Sequence, residues 1–97
     1  MNLYDAHNHL QDAWLTPHRD QMFRDLAGVG VRAAVVNGTS ETDWEEVTAL
    51  AAAYPVVRSS YGLHPWDAGN RTSNWQALLI SQLDANPNAC VGEIGLD

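Results

Sequence analysis

The run Arg32-Ala33-Ala34-Val35-Val36 and the turn Asn37-Gly38-Thr39-Ser40 that follows it give the clearest indication of the fold. The run is short and apolar, as in a parallel strand that is buried on both faces. Ser40 with Asp43 makes an approximate capping box for a helix. One face of that helix is then marked by spacings of three and four residues, at Trp44, Val47, Ala51 and Tyr54. Because Pro55 stops the helix, the segment predicts a strand, a turn and a helix in succession.

The same alternation extends toward the N-terminus. Residues 3–9 are compatible with a strand and carry no signal for the start of a helix. Thr16 then offers an N-cap, with Pro17 at the first helical position, and the predicted helix ends at Gly28 and Gly30. A first strand and a first helix are therefore expected before residues 32–36.

The alternation also extends toward the C-terminus. Residues 56–62 and 89–94 are two further predicted strands. Thr72 or Ser73 caps a third helix between them, and one side of this helix carries Trp75, Leu78, Leu79, Gln82 and Leu83. The order β-α-β-α-β-α-β predicts an α/β protein with a parallel sheet and right-handed crossovers. Two architectures built from parallel (βα) units fit this order: a small doubly wound sheet, and the N-terminal half of a TIM-type (β/α)8 barrel.

Length and charge restrict the classes of protein. The chain has 97 residues, so we expect residues 1–97 to form a single unit of four strands and three helices. The net charge is −7, and all five basic residues are arginines. Without lysine, the chain cannot use a Schiff-base lysine or a P-loop lysine. The acidic balance also argues against a broad basic surface for nucleic acid.

Cysteine usage and hydropathy indicate a cytoplasmic protein without a membrane partner. Cys90 is the single cysteine and cannot form an internal disulfide, and we interpret it as a small core residue. No apolar run reaches the roughly 18 residues that a transmembrane helix requires. Residues 1–5 also lack the basic and apolar regions of a secretory signal.

Residues 5–9 form the motif that points most directly to chemistry. Successive side chains of a strand point to opposite faces, so Asp5, His7 and His9 should project from the same face. Two imidazoles at positions i and i+2 can then reach one metal ion. The alternative is two polar histidines at an exposed strand end. The acidic residue and the shared face favour the metal interpretation.

Glu93 lies inside the otherwise apolar segment of residues 91–96. A buried glutamate is unfavourable unless it is paired or bound to metal, and the alternative is a solvated residue beyond the end of the strand. Together with His7 and His9, it supplies two imidazoles and one carboxylate. Some catalytic zinc sites have this composition, with one position left for water.

His64 follows the third predicted strand, at the carboxyl end of the sheet, where parallel α/β proteins carry their functional sites. Its imidazole can contact a substrate phosphate, transfer protons or pack within the loop. We interpret the nearby Trp66 as a packing residue.

The three motifs together resemble the TatD family of metal-dependent deoxyribonucleases, which belongs to the amidohydrolase-like barrels. The family pattern Asp-x-His-x-His is met by residues 5–9, Gly-x-His-Pro by residues 62–65, and Gly-Glu-x-Gly-Leu-Asp by residues 92–97. The motifs occur in the family order and at the expected strand ends. The resemblance covers the whole chain and implies the barrel architecture.

The resemblance implies a hydrolase that cleaves phosphodiester bonds in DNA with a pair of divalent ions and an activated water. It implies that His7 and His9 bind one metal, that Glu93 bridges two, and that His64 lies close to the substrate phosphate. We assign supporting roles to Asp5 and Asp97, which would orient a ligand histidine or the backbone. Zinc, manganese and magnesium all remain open as the metal.

The family pattern also implies two histidines and an aspartate on strands beyond the fourth. We therefore expect this chain to be an N-terminal fragment of a longer barrel domain, with reduced or no activity alone. Its exposed sheet edges should favour self-association. Two alternatives remain open. One is another His-x-His barrel, either a phosphoesterase of the polymerase-and-histidinol-phosphatase type or a dihydroorotase-like amidase. The other is an inactive half-barrel that only self-associates.

Overall fold

The computed structural model of the chain describes residues 1–95. Within them lie four strands, β1 (Leu3–Asn8), β2 (Val31–Asn37), β3 (Val57–Tyr61) and β4 (Cys90–Val91). The same residues form three α-helices, α1 (Arg19–Gly28), α2 (Trp44–Ala53) and α3 (Trp75–Ala85). Two 3-10 helices, Ala13–His18 and Pro65–Asn70, precede α1 and α3. None of the helices in residues 1–95 has the length and apolar character needed to cross a membrane.

The sheet has the strand order β1-β2-β3-β4, and every neighbouring pair is parallel. The four strands alternate with helices and curl into a half-barrel, which confirms the predicted N-terminal half of a TIM-type barrel. The doubly wound alternative is wrong, because such a sheet reverses its strand order at a switch point. The carboxyl ends of all four strands therefore meet at one rim.

The core lies between the outer face of the sheet and the helices. As predicted for residues 32–36, Ala34 and Val36 are completely buried. Trp44 is only 1% exposed, and its indole N–H donates to the carbonyl oxygen of Gly62 at 2.9 Å. The remaining buried members of the apolar cluster are Leu10, Phe23, Val47, Leu50, Val57 and Tyr61. This packing fixes β2, α2 and β3 as one unit.

The predicted start of the first helix is wrong. Pro17 lies inside the 3-10 helix Ala13–His18, and α1 begins at Arg19 with His18 as its N-cap. The guanidinium of Arg19 donates to the carbonyl oxygens of Leu10 and Asp12 at 3.0 and 3.1 Å, which holds the preceding segment in place. Pro17 lies in the second turn of the 3-10 helix, two residues before α1, so the proline marked the end of that short helix and not the first turn of the α-helix.

The predicted caps of the other two helices also differ from the structure. Asp43 is the N-cap residue of α2, but its carboxylate accepts from the backbone N–H groups of Thr39 and Ser40, upstream of the helix. The reciprocal bonds of the predicted box do form, since the Ser40 N–H donates to Oδ1 of Asp43 at 3.3 Å and Oγ of Ser40 accepts from the Thr42 N–H at 3.4 Å. They close the turn before α2, however, because the helix itself begins after Asp43. The third helix begins at Trp75 with Asn74 as its N-cap, one or two residues beyond the predicted caps.

The C-terminal strand is shorter and more exposed than predicted. β4 contains two residues, Cys90 and Val91, and both are exposed. The interpretation of Cys90 as a core residue is wrong, because β4 pairs only with β3 and lies at the edge of the sheet. None of the residues of α3 is fully buried, and Trp75 is half-buried.

Candidate metal centre

Three histidines converge on the carboxylate of Glu93. One carboxylate oxygen, Oε2, lies 3.2 Å from Nε2 of His7 and 3.0 Å from Nε2 of His9. The other oxygen, Oε1, lies 3.2 Å from Nε2 of His64. The imidazole rings of His7 and His9 meet edge to face, with centroids 5.1 Å apart. The structure thus brings together all four of these predicted site residues.

The parallel sheet explains this convergence. His7 is near the end of β1, and His9 follows that strand. His64 precedes the 3-10 helix that follows β3, and Glu93 lies two residues beyond β4. The carboxyl ends of parallel strands share one rim, which brings side chains from distant parts of the sequence close together.

Backbone hydrogen bonds place Glu93 at this rim. The N–H of Gly92 donates to the carbonyl oxygen of Tyr61 at 2.8 Å, and the N–H of Glu93 donates to that of Gly38 at 3.2 Å. The hydroxyl of Ser60 donates to the carbonyl oxygen of Gly92 at 3.1 Å. Gly62 permits the close approach, because a Cβ atom at this position would lie only 2.5 Å from the carbonyl oxygen of Glu93.

Asp5 contacts the backbone and a neighbouring amide. Its carboxylate accepts from the backbone N–H of His7 at 3.0 Å and from the side-chain amide of Asn8 at 3.1 Å. The pairing of β1 with β2 shifts register between Asp5 and Asn8, so regular alternation does not hold across this segment. Asp5 therefore braces the segment that carries the histidines. Asp97, the other predicted supporting residue, lies outside the described residues.

The tautomer of His9 follows from its hydrogen bond to the main chain. Its Nδ1 lies 2.9 Å from the carbonyl oxygen of Asn37. A carbonyl oxygen can only accept, so this bond requires the proton on Nδ1 and leaves a lone pair on Nε2 of the neutral ring. That lone pair faces the Oε2 atom of Glu93. Two acceptors at this distance need a positive charge between them, either a further proton or a metal ion.

His64 has the opposite tautomer. Its Nδ1 accepts the backbone N–H of Trp66 at 3.0 Å, so the neutral ring carries its proton on Nε2. This N–H points to the Oε1 atom of Glu93. His9 is thus arranged to offer a lone pair, whereas His64 is arranged to donate a hydrogen bond.

The donor set fits a divalent ion. The ligand atoms of His7, His9 and Glu93 all lie within 4.8 Å of one another. Two atoms bound tetrahedrally to zinc are separated by roughly 3.3 Å, which is close to the contacts of 3.0 and 3.2 Å on Oε2. That oxygen exposes less than 1 Å² and accepts no hydrogen bond of good geometry from the part of the chain that the structure describes. A buried acceptor without a hydrogen-bond donor is expected where side chains are arranged to hold a cation.

Three features of the rim differ from the sequence interpretation or were missed by it. Trp66 is 75% exposed, so the interpretation of it as a packing residue is wrong. Its ring contacts that of His64 at a centroid distance of 5.1 Å. The buried residues Asn37 and Gln11 were not predicted: the main-chain carbonyl of Asn37 contacts His9, and the side-chain amide of Gln11 contacts the same carbonyl. The position of Asn37 at the carboxyl end of β2 was the available signal for it.

Comparison with known proteins agrees with this arrangement. The fold and the site together define a parallel (βα) half-barrel whose histidine and carboxylate groups meet at the carboxyl ends of the strands. The chain belongs to the family described as TatD related DNase, which matches residues 4–97. This match confirms the resemblance drawn from the three motifs.

Curated proteins of this family are similar to the chain over nearly its whole length. The 3'-5' ssDNA/RNA exonuclease TatD of Escherichia fergusonii is 30% identical over 99 residues, covering 98% of this chain and 36% of that protein. The protein of the same name from Pectobacterium atrosepticum is 30% identical over 100 residues, covering 98% of this chain and 37% of that protein. The chain thus spans little more than a third of the length of these relatives.

Proposed function

We propose that this chain carries the first metal-binding half of a hydrolase that cleaves phosphodiester bonds in DNA. The observation that carries the proposal is the buried Oε2 atom of Glu93, which two histidine Nε2 atoms approach within 3.2 Å and which accepts no hydrogen bond of good geometry from residues 1–95. Membership of the TatD-related DNase family supports a nuclease-like hydrolase. The names of the relatives, 3'-5' ssDNA/RNA exonuclease, support a single-stranded nucleic acid as substrate.

Each side chain has a separate task in this proposal. His7, His9 and Glu93 would hold a divalent ion, and zinc, manganese and magnesium are the candidates. A bound divalent ion supplies Lewis-acid activation of water and offsets charge on the phosphoryl oxygens. His64 does not need to bind the ion, because its Nε2–H is already arranged to donate. This N–H would donate to a phosphoryl oxygen of the substrate.

The charge of the chain makes a cation necessary for this chemistry. The net charge is −7, and the site itself is built on the Glu93 carboxylate. A phosphodiester brings a further negative charge, and two like charges at short range repel each other. We expect weak substrate binding that depends on the divalent ion and falls with added salt. Asp5 contributes by holding the backbone of His7.

The first test is metal stoichiometry, measured by elemental mass spectrometry. The purified chain is stripped, reloaded with zinc or manganese, and desalted. We expect one or two retained ions per chain, and none in the double variant His7→Ala and His9→Ala. The control His18→Ala alters an exposed histidine at the end of a 3-10 helix and should retain metal like the wild type. Failure of the wild type to retain either metal would overturn the metal site in this chain.

Substrate comparison tests the hydrolase and separates it from the alternatives. The loaded chain is incubated with a labelled single-stranded oligonucleotide, a phosphomonoester and a cyclic amide. Cleavage of the oligonucleotide that is lost in the double variant would support the proposal. Preference for the phosphomonoester or the amide would favour another His-x-His barrel. Retained metal without hydrolysis of any of the three would contradict activity in this chain and favour the inactive half-barrel.

The sheet edges support self-association as a second part of the proposal. β1 and β4 are the two edges of the four-stranded sheet, and Tyr4 and Val91 on them are exposed. Unprotected edges pair readily with other chains. We expect sedimentation velocity to show association that increases with concentration and is weakened by Tyr4→Lys with Val91→Lys. Ile80→Lys changes an exposed residue of the helix α3, outside the sheet, and is the control. A concentration-independent monomer would contradict this part.

A further inference from the structure

Gln11 is a buried polar residue beside the candidate metal centre. It follows His9 by two positions and is only 3% exposed. Its side-chain amide nitrogen donates to the carbonyl oxygen of Asn37 at 2.7 Å and to Oδ2 of Asp43 at 3.0 Å. Both amide hydrogens are therefore used, and the orientation of the amide is fixed. The reversed orientation would place Oε1 against two other acceptors.

The other end of the Gln11 amide has no partner among residues 1–95. Its Oε1 atom exposes less than 1 Å² and accepts no hydrogen bond from any residue that the structure describes. Leaving a buried acceptor unsatisfied is unfavourable, and such groups in native proteins call for an explanation. A residue that served only to fill space here would be better replaced by an apolar one. The arrangement thus indicates that the two donated bonds have a role.

The Asn37 carbonyl oxygen connects Gln11 to His9. It accepts from the Gln11 amide at 2.7 Å and from Nδ1 of His9 at 2.9 Å, which uses both of its lone pairs. Gln11 is anchored in turn by Asp43, whose carboxylate also accepts from the N–H and the hydroxyl of Thr39. This chain of bonds runs from the start of α2 to the imidazole of His9.

We infer that Gln11 is a positioning residue for the metal centre. The Gly38 N–H bond to the carbonyl oxygen of Ser60 at 2.9 Å holds the Asn37–Gly38 peptide in the sheet, and Gln11 adds a second constraint on the direction of the Asn37 carbonyl. That carbonyl holds His9 in the tautomer that presents the Nε2 lone pair to Glu93. Partners of this kind that orient a ligand histidine affect metal affinity although they do not touch the ion. The part of the inference that concerns metal affinity rests on the proposed function, whereas the part that concerns the tautomer does not.

The test compares Gln11→Met with Gln21→Met. Methionine keeps the approximate length of glutamine but donates no hydrogen bond, and Gln21 is an exposed glutamine on α1 that bonds Asp25 within the same helix. The tautomer of His9 is read in the metal-free chain from imidazole nitrogen shifts by NMR. The pH is set well above the ordinary histidine pKa of about 6.5. Zinc affinity is measured separately by competition with a chelator.

We expect His9 to be in the Nδ1–H tautomer in the wild type and in Gln21→Met, and in a mixture of tautomers in Gln11→Met. Zinc affinity should fall by about 10- to 100-fold in Gln11→Met and remain unchanged in Gln21→Met. An unchanged tautomer in a folded Gln11→Met chain would overturn the inference. A wild type that retains no zinc but shows the Gln11-dependent tautomer would overturn only the proposed metal site.

A measurement on the wild type keeps the inference testable if Gln11→Met does not fold. The side-chain amide hydrogens of Gln11, both bonded and buried, should exchange with solvent far more slowly than those of Gln21. Equal exchange rates for the two side chains would overturn the inference.

Discussion

The unit formed by β2, α2 and β3 is packed very differently from the unit formed by α3 and β4. The first contains most of the fully buried side chains, among them Val36, Trp44, Val47 and Tyr61. The second has no fully buried residue in its helix or in the two residues of its strand. The weakly packed unit nevertheless supplies Glu93, the residue on which the three histidines converge.

The difference separates what stabilises the fold from what positions the site. Apolar burial holds the first unit together. In the second unit, hydrogen bonds from Gly92 and Glu93 to carbonyl oxygens of β3 and of the loop after β2 place the carboxylate. The position of the site therefore depends on the first unit. Substitutions in the first unit should mainly change the stability of the fold, and substitutions at the contacts of the second unit should mainly change metal retention.

The largest effect should come from Trp44→Ala in the packed unit. Trp44 is 1% exposed, and removing a buried tryptophan costs about 3–5 kcal/mol in the free energy of unfolding. Urea titration followed by circular dichroism measures the loss. Trp14→Ala, at a residue that is 74% exposed, should change stability by less than about 0.5 kcal/mol. Equal effects of the two changes would contradict the assignment of the core.

Gly62→Ala should have an intermediate effect, and it should reduce metal retention more than it reduces stability. The added Cβ would lie 2.5 Å from the carbonyl oxygen of Glu93 and 2.7 Å from the carbonyl carbon of Gly92. We expect the strand end that carries Glu93 to move, so that metal retention falls at least tenfold. Stability should fall by only about 1–3 kcal/mol. Elemental analysis and urea titration measure the two quantities.

Gly69→Ala is the matched control for this change. A Cβ at Gly69 would meet no atom of residues 1–95 within 4 Å, so metal retention should remain at the wild-type level. Full metal retention in Gly62→Ala would contradict the view that Glu93 is positioned by close backbone approach.

The smallest effect should come from Tyr54→Phe, between α2 and β3 of the packed unit. The hydroxyl of Tyr54 donates to the carboxylate of Asp20, and this hydrogen bond raises the pKa of Tyr54 above its ordinary 10.0. The folded state then holds the phenol proton more tightly than the unfolded state does. The contribution of this hydrogen bond to the free energy of unfolding is complete below pH 10. It is lost as the pH rises through the folded-state pKa of Tyr54.

We therefore expect the wild type to be slightly more stable than Tyr54→Phe near neutral pH. The difference between their free energies of unfolding should disappear in alkaline solution. Urea titrations between neutral and strongly alkaline pH measure it. Tyr4→Phe, at an exposed position on β1, should leave the stability of the chain unchanged where the phenols are protonated. A gap that widens with pH would contradict the assigned bond.

The packed unit was predictable from the sequence because its signals are local. An apolar run without alternation identified β2, and the spacing of Trp44 and Val47 identified the buried face of α2. The same reasoning failed for Cys90. Apolar character alone does not reveal whether a neighbour covers a strand, and β4 has a partner on one side only.

The residues of the candidate site were predictable from the sequence, but the contacts that hold these residues in position were not. His7, His9, His64 and Glu93 were found because their residue types, and the family motifs that contain them, occur at strand ends. Gln11 carries no such signal, since its importance arises from a carbonyl group of another strand. Asp5 was expected to orient a ligand histidine or the backbone. Its actual contacts depend on a register shift that the sequence does not indicate.

The convergence on Glu93 also has a consequence for the order of events during synthesis. His7 and His9 emerge from the ribosome early, whereas Glu93 is translated after almost all of the described chain. The contacts to Glu93 cannot form until that residue has been synthesised, and contacts between residues this far apart are slow to form because of the loop-closure entropy. The packed unit can thus be complete while the histidines still lack their carboxylate. A nascent chain would therefore gain its fold before it gains the ability to retain an ion.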